Sequence, residues 1–374
     1  MFIYPGRNYT MKYFPLYLIV GILVLSCSGN QTEQQNTSNG LDTTQRLEFF
    51  GNTQGTTFSV ICNDKIEITN EEIEEILHQF DLALSAYIPN SVLTKLNEAP
   101  AGEFNYVDSF GYFNRCYLLS KQMWQVSEHC FDPTVYPLVD GWGFMKDVEF
   151  VPDSAAVDSL RALIGFSDGV NFTFMTKNDT AGNVIPLSKI IKHNSRAKLD
   201  FNAIAQGLAV DVIAEEFERR GAQNYFVEIG GEIRVKGLNS DGVLWRVAID
   251  KPIENSSAEN REFQDIIQVN NRSVATSGSY RKFYEKDGIK YSHTIDPFTG
   301  YPVQHTLLSA TVVADDCATA DALATAFMVM GTEKSIRFLE NNNTLNLDVY
   351  LIFTNDKGRT ETYMTKGMAE MVTD

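Results

Sequence analysis

From Leu47 onward the apolar positions follow two periods, and the switches between them mark out the elements. Residues 57–62 and 64–68 are apolar and β-branched on either side of Asn63-Asp64, which predicts a hairpin turning there. Thr69 or Asn70 then caps a helix running to residue 84, with Ile73, Ile76, Leu77, Phe80 and Leu84 at helical spacing. Residues 113–129 predict a second amphipathic helix and 154–163 a short third. A fourth, over 198–220, carries Ile204, Leu208, Val212, Ile213 and Phe217 on one face and stops at Gly221. Strands are expected at 225–229, 232–237, 245–250 and 311–314. A helix is expected at 319–330, ended by Gly331, and an apolar run at 345–353 closes the core. There is no internal repeat and no clean linker after residue 46. The reading is an α+β fold, one large domain over residues 46–374 with a mixed or antiparallel sheet and packed helices.

The first 45 residues follow neither period. Lys12 precedes an apolar stretch over 13–25, broken by Pro15 and Gly21, and Ser26 and Cys27 follow it. That is the layout of a secretory signal, and the stretch is too short to span a bilayer comfortably. Val24-Leu25-Ser26-Cys27 resembles a bacterial lipobox, in which cleavage leaves Cys27 as the lipidated first residue. The bland alternative is an uncleaved apolar helix that ends in Cys by chance. Met11 is an alternative start. Residues 28–45 are rich in Gln, Asn, Thr, Ser and Gly and read as a flexible polar tether. The expectation is a signal peptide over 1–27, a tether over 28–45, and a body exported to the periplasm and held at the membrane by lipid.

Composition narrows the partners. With 31 Lys+Arg against 48 Asp+Glu the formal net charge is −17, which disfavours nucleic acid. Any phosphate-bearing ligand then needs a local cation. Cys62, Cys116, Cys130 and Cys317 are scattered without a CxxC pair, so they read as structural; zinc is disfavoured and no disulfide can be assigned.

Five patches punctuate the core. Leu84-Ser85-Ala86-Tyr87, with Ser91 and Asn97 downstream, places an aromatic ring past a helix end, where it either packs or stacks on a planar ligand. Phe131-Asp132-Pro133-Thr134-Val135 with Gly141-Trp142-Gly143-Phe144 reads as an irregular loop, fit for a ligand or simply for covering the core. Residues 198–207 form a small polar run opening a helix, whose free N–H groups suit a diphosphate; the run is not a dinucleotide GxGxxG. Residues 275–280 lead on to His293 and Asp296, the histidine standing among turn-forming and acidic residues. An unperturbed imidazole titrates near neutral pH, which suits proton transfer, although a lone histidine is usually structural. Asp321 and Thr325, four apart on a predicted helix, present carboxylate and hydroxyl on one face to a hard cation; alone, Asp321 reads as a helix N-terminal charge.

In order, LDFNAIAQGLAVD, EIGGEIRVKG, ATSGSYRKF, SHTIDPFTGYPV and ADALATAFMVMG closely resemble the FAD:protein FMN transferase family, the ApbE-type lipoproteins, from about Phe49 to the end. The resemblance implies a T-fold-related catalytic domain. It implies a metal site formed by the Ala203 carbonyl with Asp321, Ala324 and Thr325, for Mg²⁺, with Ca²⁺ or Mn²⁺ as alternatives. It puts FAD contacts at Gln54, Tyr87, Cys130, Phe131, Asp132, Asp200, Gln206 and Ile295. Gln54-Gly55-Thr56 stands where the family usually has Met-Gly-Thr, and Gln206 replaces the common Lys or Glu.

The implied reaction is attack by a Thr or Ser hydroxyl of an acceptor protein on the FMN-side phosphorus of FAD, releasing AMP. His293 is expected to steer or remove the hydroxyl proton, oriented by Asp296. The implied acceptors are membrane electron-transfer subunits, of sodium-pumping NADH:quinone reductase or Rnf-type complexes. The alternatives are a Mg²⁺-dependent FAD diphosphatase giving FMN and AMP, and a non-catalytic flavin-binding lipoprotein.

Overall fold

The computed structural model describes residues 46–145, 150–175, 187–253, 262–279, 283–286 and 288–373. The expected signal, the tether and Cys27 lie outside the described residues, as do Tyr280 to Lys282. No helix among the described residues is long and apolar enough to cross a membrane.

Eight strands form the main sheet, in the order β1 (Leu47–Thr53), β2 (Thr56–Cys62), β6 (Tyr225–Ile229), β7 (Glu232–Lys236), β10 (Arg272–Gly278), β13 (Leu307–Ala314), β14 (Asp348–Thr354) and β15 (Thr360–Met364). Every pairing between these strands is antiparallel. β13 is buried at almost every position, so its sequence reads as a continuous apolar run; β2 alternates. One face is covered by α1 (Asn70–Leu84), α3 (Tyr112–Val126), α6 (Ala205–Arg219) and α7 (Cys317–Asn341), which share the larger core with Phe58, Val60, Val227, Ala310 and Leu351. The other face packs Val235, Val274, Val313 and Ile352 against a small sheet ordered β16 (Val372–Thr373), β9 (Phe263–Val269), β8 (Trp245–Asp250), and against α8 (Lys366–Met371).

A second three-stranded sheet, ordered β3 (Gly102–Val107), β5 (Leu187–Lys192), β4 (Phe172–Met175), lies beyond α2 (Val92–Glu98). The short helices α4 (Tyr136–Gly141) and α5 (Ser154–Arg161) make a third apolar cluster around Trp142 and Val157. The ribbon of β11 (Phe283–Lys286) and β12 (Ile289–Ser292) completes the described elements. The α+β expectation holds.

Two local expectations do not. The hairpin turns at Gln54-Gly55, not at Asn63-Asp64, and both turn residues have positive φ, 51° and 74°, as a two-residue hairpin of matching twist requires. Residues 64–68 are not a strand. The Asp64 carboxylate instead accepts from the backbone of Gln223 and Asn224, tying the end of β2 to the start of β6. The fourth helix begins at Ala205, seven residues after its expected start. Asp200 accepts from the Asn202 N–H at 2.8 Å, and the Asp200 N–H donates to the Pro133 carbonyl at 2.7 Å, so this stretch spends its hydrogen bonds outside a helical ladder.

Candidate functional site

That delayed helix start opens a cavity. It measures about 850 Å³, near the upper end of small-molecule sites, which run to roughly 1,000 Å³. Its walls come from the end of α1, the loop before α4, the 200–206 turn, the Gly230–Glu232 turn, the end of β10, residues 293–297 and the first turns of α7. All five patches of the sequence meet on it.

The floor belongs to α7. Asp316 caps that helix by accepting from the Thr319 N–H at 2.8 Å. Asp321, 6% exposed, lies one turn in, and its Oδ2 accepts from the Gly207 N–H at 3.1 Å. Burial, and the negative charge of Asp211, raise its carboxyl above the ordinary range. One turn further, the Thr325 hydroxyl is 3.1 Å from that of Ser277 on β10. Ala203 lines the cavity; Ala324 is buried beneath it and does not. The donors available are hard oxygens around a buried carboxylate that has no cationic partner among the described residues, which fits Mg²⁺-type ions. Among the described residues no three His, Cys, Asp or Glu gather as a metal cluster. A cation here would therefore need phosphate or water for its remaining positions.

The walls are held from outside. Asp132 lines the cavity, but its carboxylate is fully used: Oδ1 accepts from the Thr134 N–H at 2.7 Å and from the Thr134 hydroxyl, and Oδ2 from the Trp124 indole at 3.1 Å. It shapes the loop that presents Phe131 and Cys130. Burial pushes the Cys130 thiol up to about 11, so it stays protonated. Tyr87 stands at the rim, 66% exposed, its hydroxyl 3.3 Å from the Asn202 amide. Burial also raises the Asp200 carboxyl. Gln206 packs against Gly230, where an added Cβ would sit 2.8 Å from its Nε2. Gln54 projects from the hairpin turn, with both atoms of its amide buried, toward the Asp81 carboxylate on the same cavity.

His293 follows β12 directly and lines the cavity with Thr294, Ile295 and Pro297. Asp296 does not reach the wall. Its carboxylate accepts from the Phe298 N–H at 2.8 Å and the Thr299 hydroxyl at 3.0 Å, so it folds the turn behind the histidine. Trp142, fully buried, donates to the Gly300 carbonyl at 2.8 Å and fixes that turn, which joins the second patch to the fourth.

Two groups escaped the sequence reading. Asp81 lines the cavity from the last turn of α1, where the helix dipole disfavours an acid; that misfit is the signal that could have found it. Burial raises its carboxyl too. Asp211, fully buried on α6, closes the LDFNAIAQGLAVD stretch, but its spacing gave it no role, because it falls on a face that otherwise reads as core.

The ApbE family model matches residues 54–351. A protein of Vibrio cholerae serotype O1 named FAD:protein FMN transferase is 35% identical over 326 residues, 84% of this chain and 89% of the relative. One of the same name from Haemophilus influenzae is 36% identical over 323 residues, 84% of this chain and 88% of the relative. Among solved structures, the flavin transferase ApbE from Vibrio cholerae superposes with a TM-score of 0.73 at 32% identity, covering 87% of this chain and 99% of that one.

Proposed function

The chain belongs to the ApbE family, and we propose that it transfers FMN from FAD to a Thr or Ser hydroxyl of an acceptor protein, with release of AMP. The observation that carries the proposal is the meeting of Asp321 and Thr325 with His293 on one cavity of dinucleotide size. Proton acceptor and phosphate-binding floor then face the same ligand.

In this reading Tyr87, Cys130, Phe131, Asp200, Gln206 and Ile295 enclose FAD, and Gln54 offers it a buried amide. Asp321 and Thr325, with the main-chain oxygen of Ala203, would hold a divalent cation, Mg²⁺ first among the candidates, that offsets the diphosphate charge. His293 takes the proton of the acceptor hydroxyl. The hydroxyl oxygen forms a bond to the FMN-side phosphorus, the bond from that phosphorus to the bridging oxygen breaks, and AMP departs with the electron pair. Asp296 contributes through the turn that aims His293. For location, the sequence from Lys12 to Cys27 supports export and lipid anchoring at the periplasmic face. The acceptors proposed are electron-transfer subunits of the membrane, of NADH:quinone reductase or Rnf type.

The test incubates the full chain with FAD, Mg²⁺ and a candidate acceptor subunit, then reads in-gel flavin fluorescence and acceptor mass. The expected result is one added FMN, abolished by EDTA, and absent with His293→Ala although that variant still binds FAD. Free FMN and AMP beside an unlabelled acceptor would assign a diphosphatase. FAD retained unchanged with every acceptor would leave a binding lipoprotein.

A further inference from the structure

The N-termini of α6 and α7 lie against each other, and neither satisfies its first turn without the other. Ile204, the residue before α6, supplies no side-chain cap. The Gly207 N–H, an orphan of that first turn, goes to Asp321 on α7 at 3.1 Å. On α7, Asp316 supplies only its own cap contacts. The Cys317 and Ala318 N–H groups both donate to Asp211 on α6, each at 2.9 Å. Each helix thus receives first-turn N–H groups of the other on a carboxylate, and one turn of α6, from Gly207 to Asp211, is laid along one turn of α7, from Cys317 to Asp321. The approach is close enough that a Cβ on Gly207 would meet the Cys317 carbonyl oxygen at 2.4 Å.

Asp211 differs from Asp321 in having a cationic partner. Arg234 on β7 donates to its Oδ1 at 2.8 Å, and the carboxylate is wholly shielded from solvent. The ion pair and two helix N–H groups fix it in place. Asp321 spends one oxygen on Gly207 and has no such cation among the described residues. The clasp therefore has one electrostatically complete end, at Asp211, and one end that turns toward the cavity.

We propose that Asp211 is a positioning residue for the cation site, clamping the two helix N-termini so that the oxygens of Ala203, from one, and of Asp321 and Thr325, from the other, converge. The inference rests on the cation-dependent reading above. Asp211 touches neither the cavity nor the reacting atoms; it acts through the first turn of α7.

The test reads Mn²⁺ binding by electron paramagnetic resonance on the full chain, alongside FAD affinity in EDTA. Asp211→Asn is expected to weaken Mn²⁺ binding at least tenfold while FAD affinity in EDTA moves less than twofold. Glu218→Gln, which touches Arg234 only at its far side, at 3.5 Å, should leave Mn²⁺ affinity unchanged whatever it does to stability. If Asp211→Asn does not fold, Asp211→Glu replaces it: the ion pair survives, the added methylene displaces α7, and the same loss is expected. Unchanged Mn²⁺ affinity in a folded Asp211 variant overturns the proposal and leaves the cation site standing. Absence of Mn²⁺ binding by the unsubstituted chain overturns the site, and the clasp with it.

Discussion

Lys192 carries its ammonium into the interior, 1% exposed, and ends it on the carbonyls of Leu96, Asn97 and Ala99 at 2.9 to 3.0 Å. These carbonyls lie at the C-terminus of α2, where the helix leaves its last acceptors short of partners; only that of Leu96 also accepts from the capping Ala99 N–H, at 3.2 Å. The Asn97 amide, held there, exchanges two hydrogen bonds of 2.8 Å with the main chain of Leu199, the residue before Asp200 on the cavity wall. Burial outweighs these partners and lowers the lysine from 10.5 to about 8. The folded chain therefore holds this proton less tightly than the unfolded chain. The charge penalty is full below pH 8 and fades between pH 8 and 10.5, as the folded state alone loses the proton. Relative to Lys192→Met, the unsubstituted chain should gain about 2 kcal/mol between pH 7 and pH 10 in urea unfolding. A difference that stays flat or shrinks would sink the assignment. In the sequence Lys192 looks like any charged strand end, and Asn97 was singled out only for its nearness to Tyr87. Roles that depend on which distant carbonyls a side chain meets leave no local pattern. Gln54 was legible only as a departure from the family's usual methionine; the burial of its amide beside Asp81 needed coordinates.

Among the elements, α6 and α7 decide the site. Apolar spacing marked both helices but misplaced their beginnings, since Asp200, Asn202 and Asp316 are side chains that compete with the ladder or cap it. At the far end of α7 the sequence placed a stop at Gly331. There the backbone does leave helical geometry, at φ 72°, yet the helix resumes to Asn341. His305 takes the Met328 carbonyl at 2.6 Å across the break, a contact that spacing along the helix cannot reveal. Gly207 is the sharper case. Alanine in an unobstructed helix would add about 1 kcal/mol of stability over glycine. Here its Cβ would press on the Cys317 carbonyl oxygen at 2.4 Å and on the Asp321 Cβ at 2.8 Å. The clash dominates, because the nearest atoms are backbone and cannot swing away. Gly207→Ala should lose roughly 1–3 kcal/mol and, by parting the helices, weaken Mn²⁺ binding as Asp211→Asn does. A raised melting temperature with intact Mn²⁺ affinity would show that α6 and α7 are not locked at this crossing.

For the whole molecule the governing quantity is charge. A formal net charge of −17 surrounds a cavity to which Asp81, Asp200 and Asp321 add carboxylates, and burial raises all three. The proposed ligand brings its own negative diphosphate. Among the described residues the cavity wall then offers no opposite charge to draw FAD in, and that wall is a poor host for phosphate until a cation is present. This part of the chemistry was readable from composition together with the Asp321 and Thr325 spacing, since both are properties of sequence alone. The meeting of the five patches was not, because it depends on antiparallel crossings between elements far apart in the chain. The charge argument has a consequence measurable without any acceptor. In EDTA, FAD should bind more tightly as salt rises from about 10 to 150 mM, several-fold in Kd, because the Debye length falls from roughly 30 to 8 Å and like-charge repulsion is screened. With Mg²⁺ present the dependence should flatten, since the local field at the floor is then offset at close range, where salt screens little. Fluorescence quenching of FAD at both salt levels gives the answer. Affinity that falls with salt in EDTA would mean that a cationic side chain, not a metal ion, receives the diphosphate, and Asp321 would lose its proposed role.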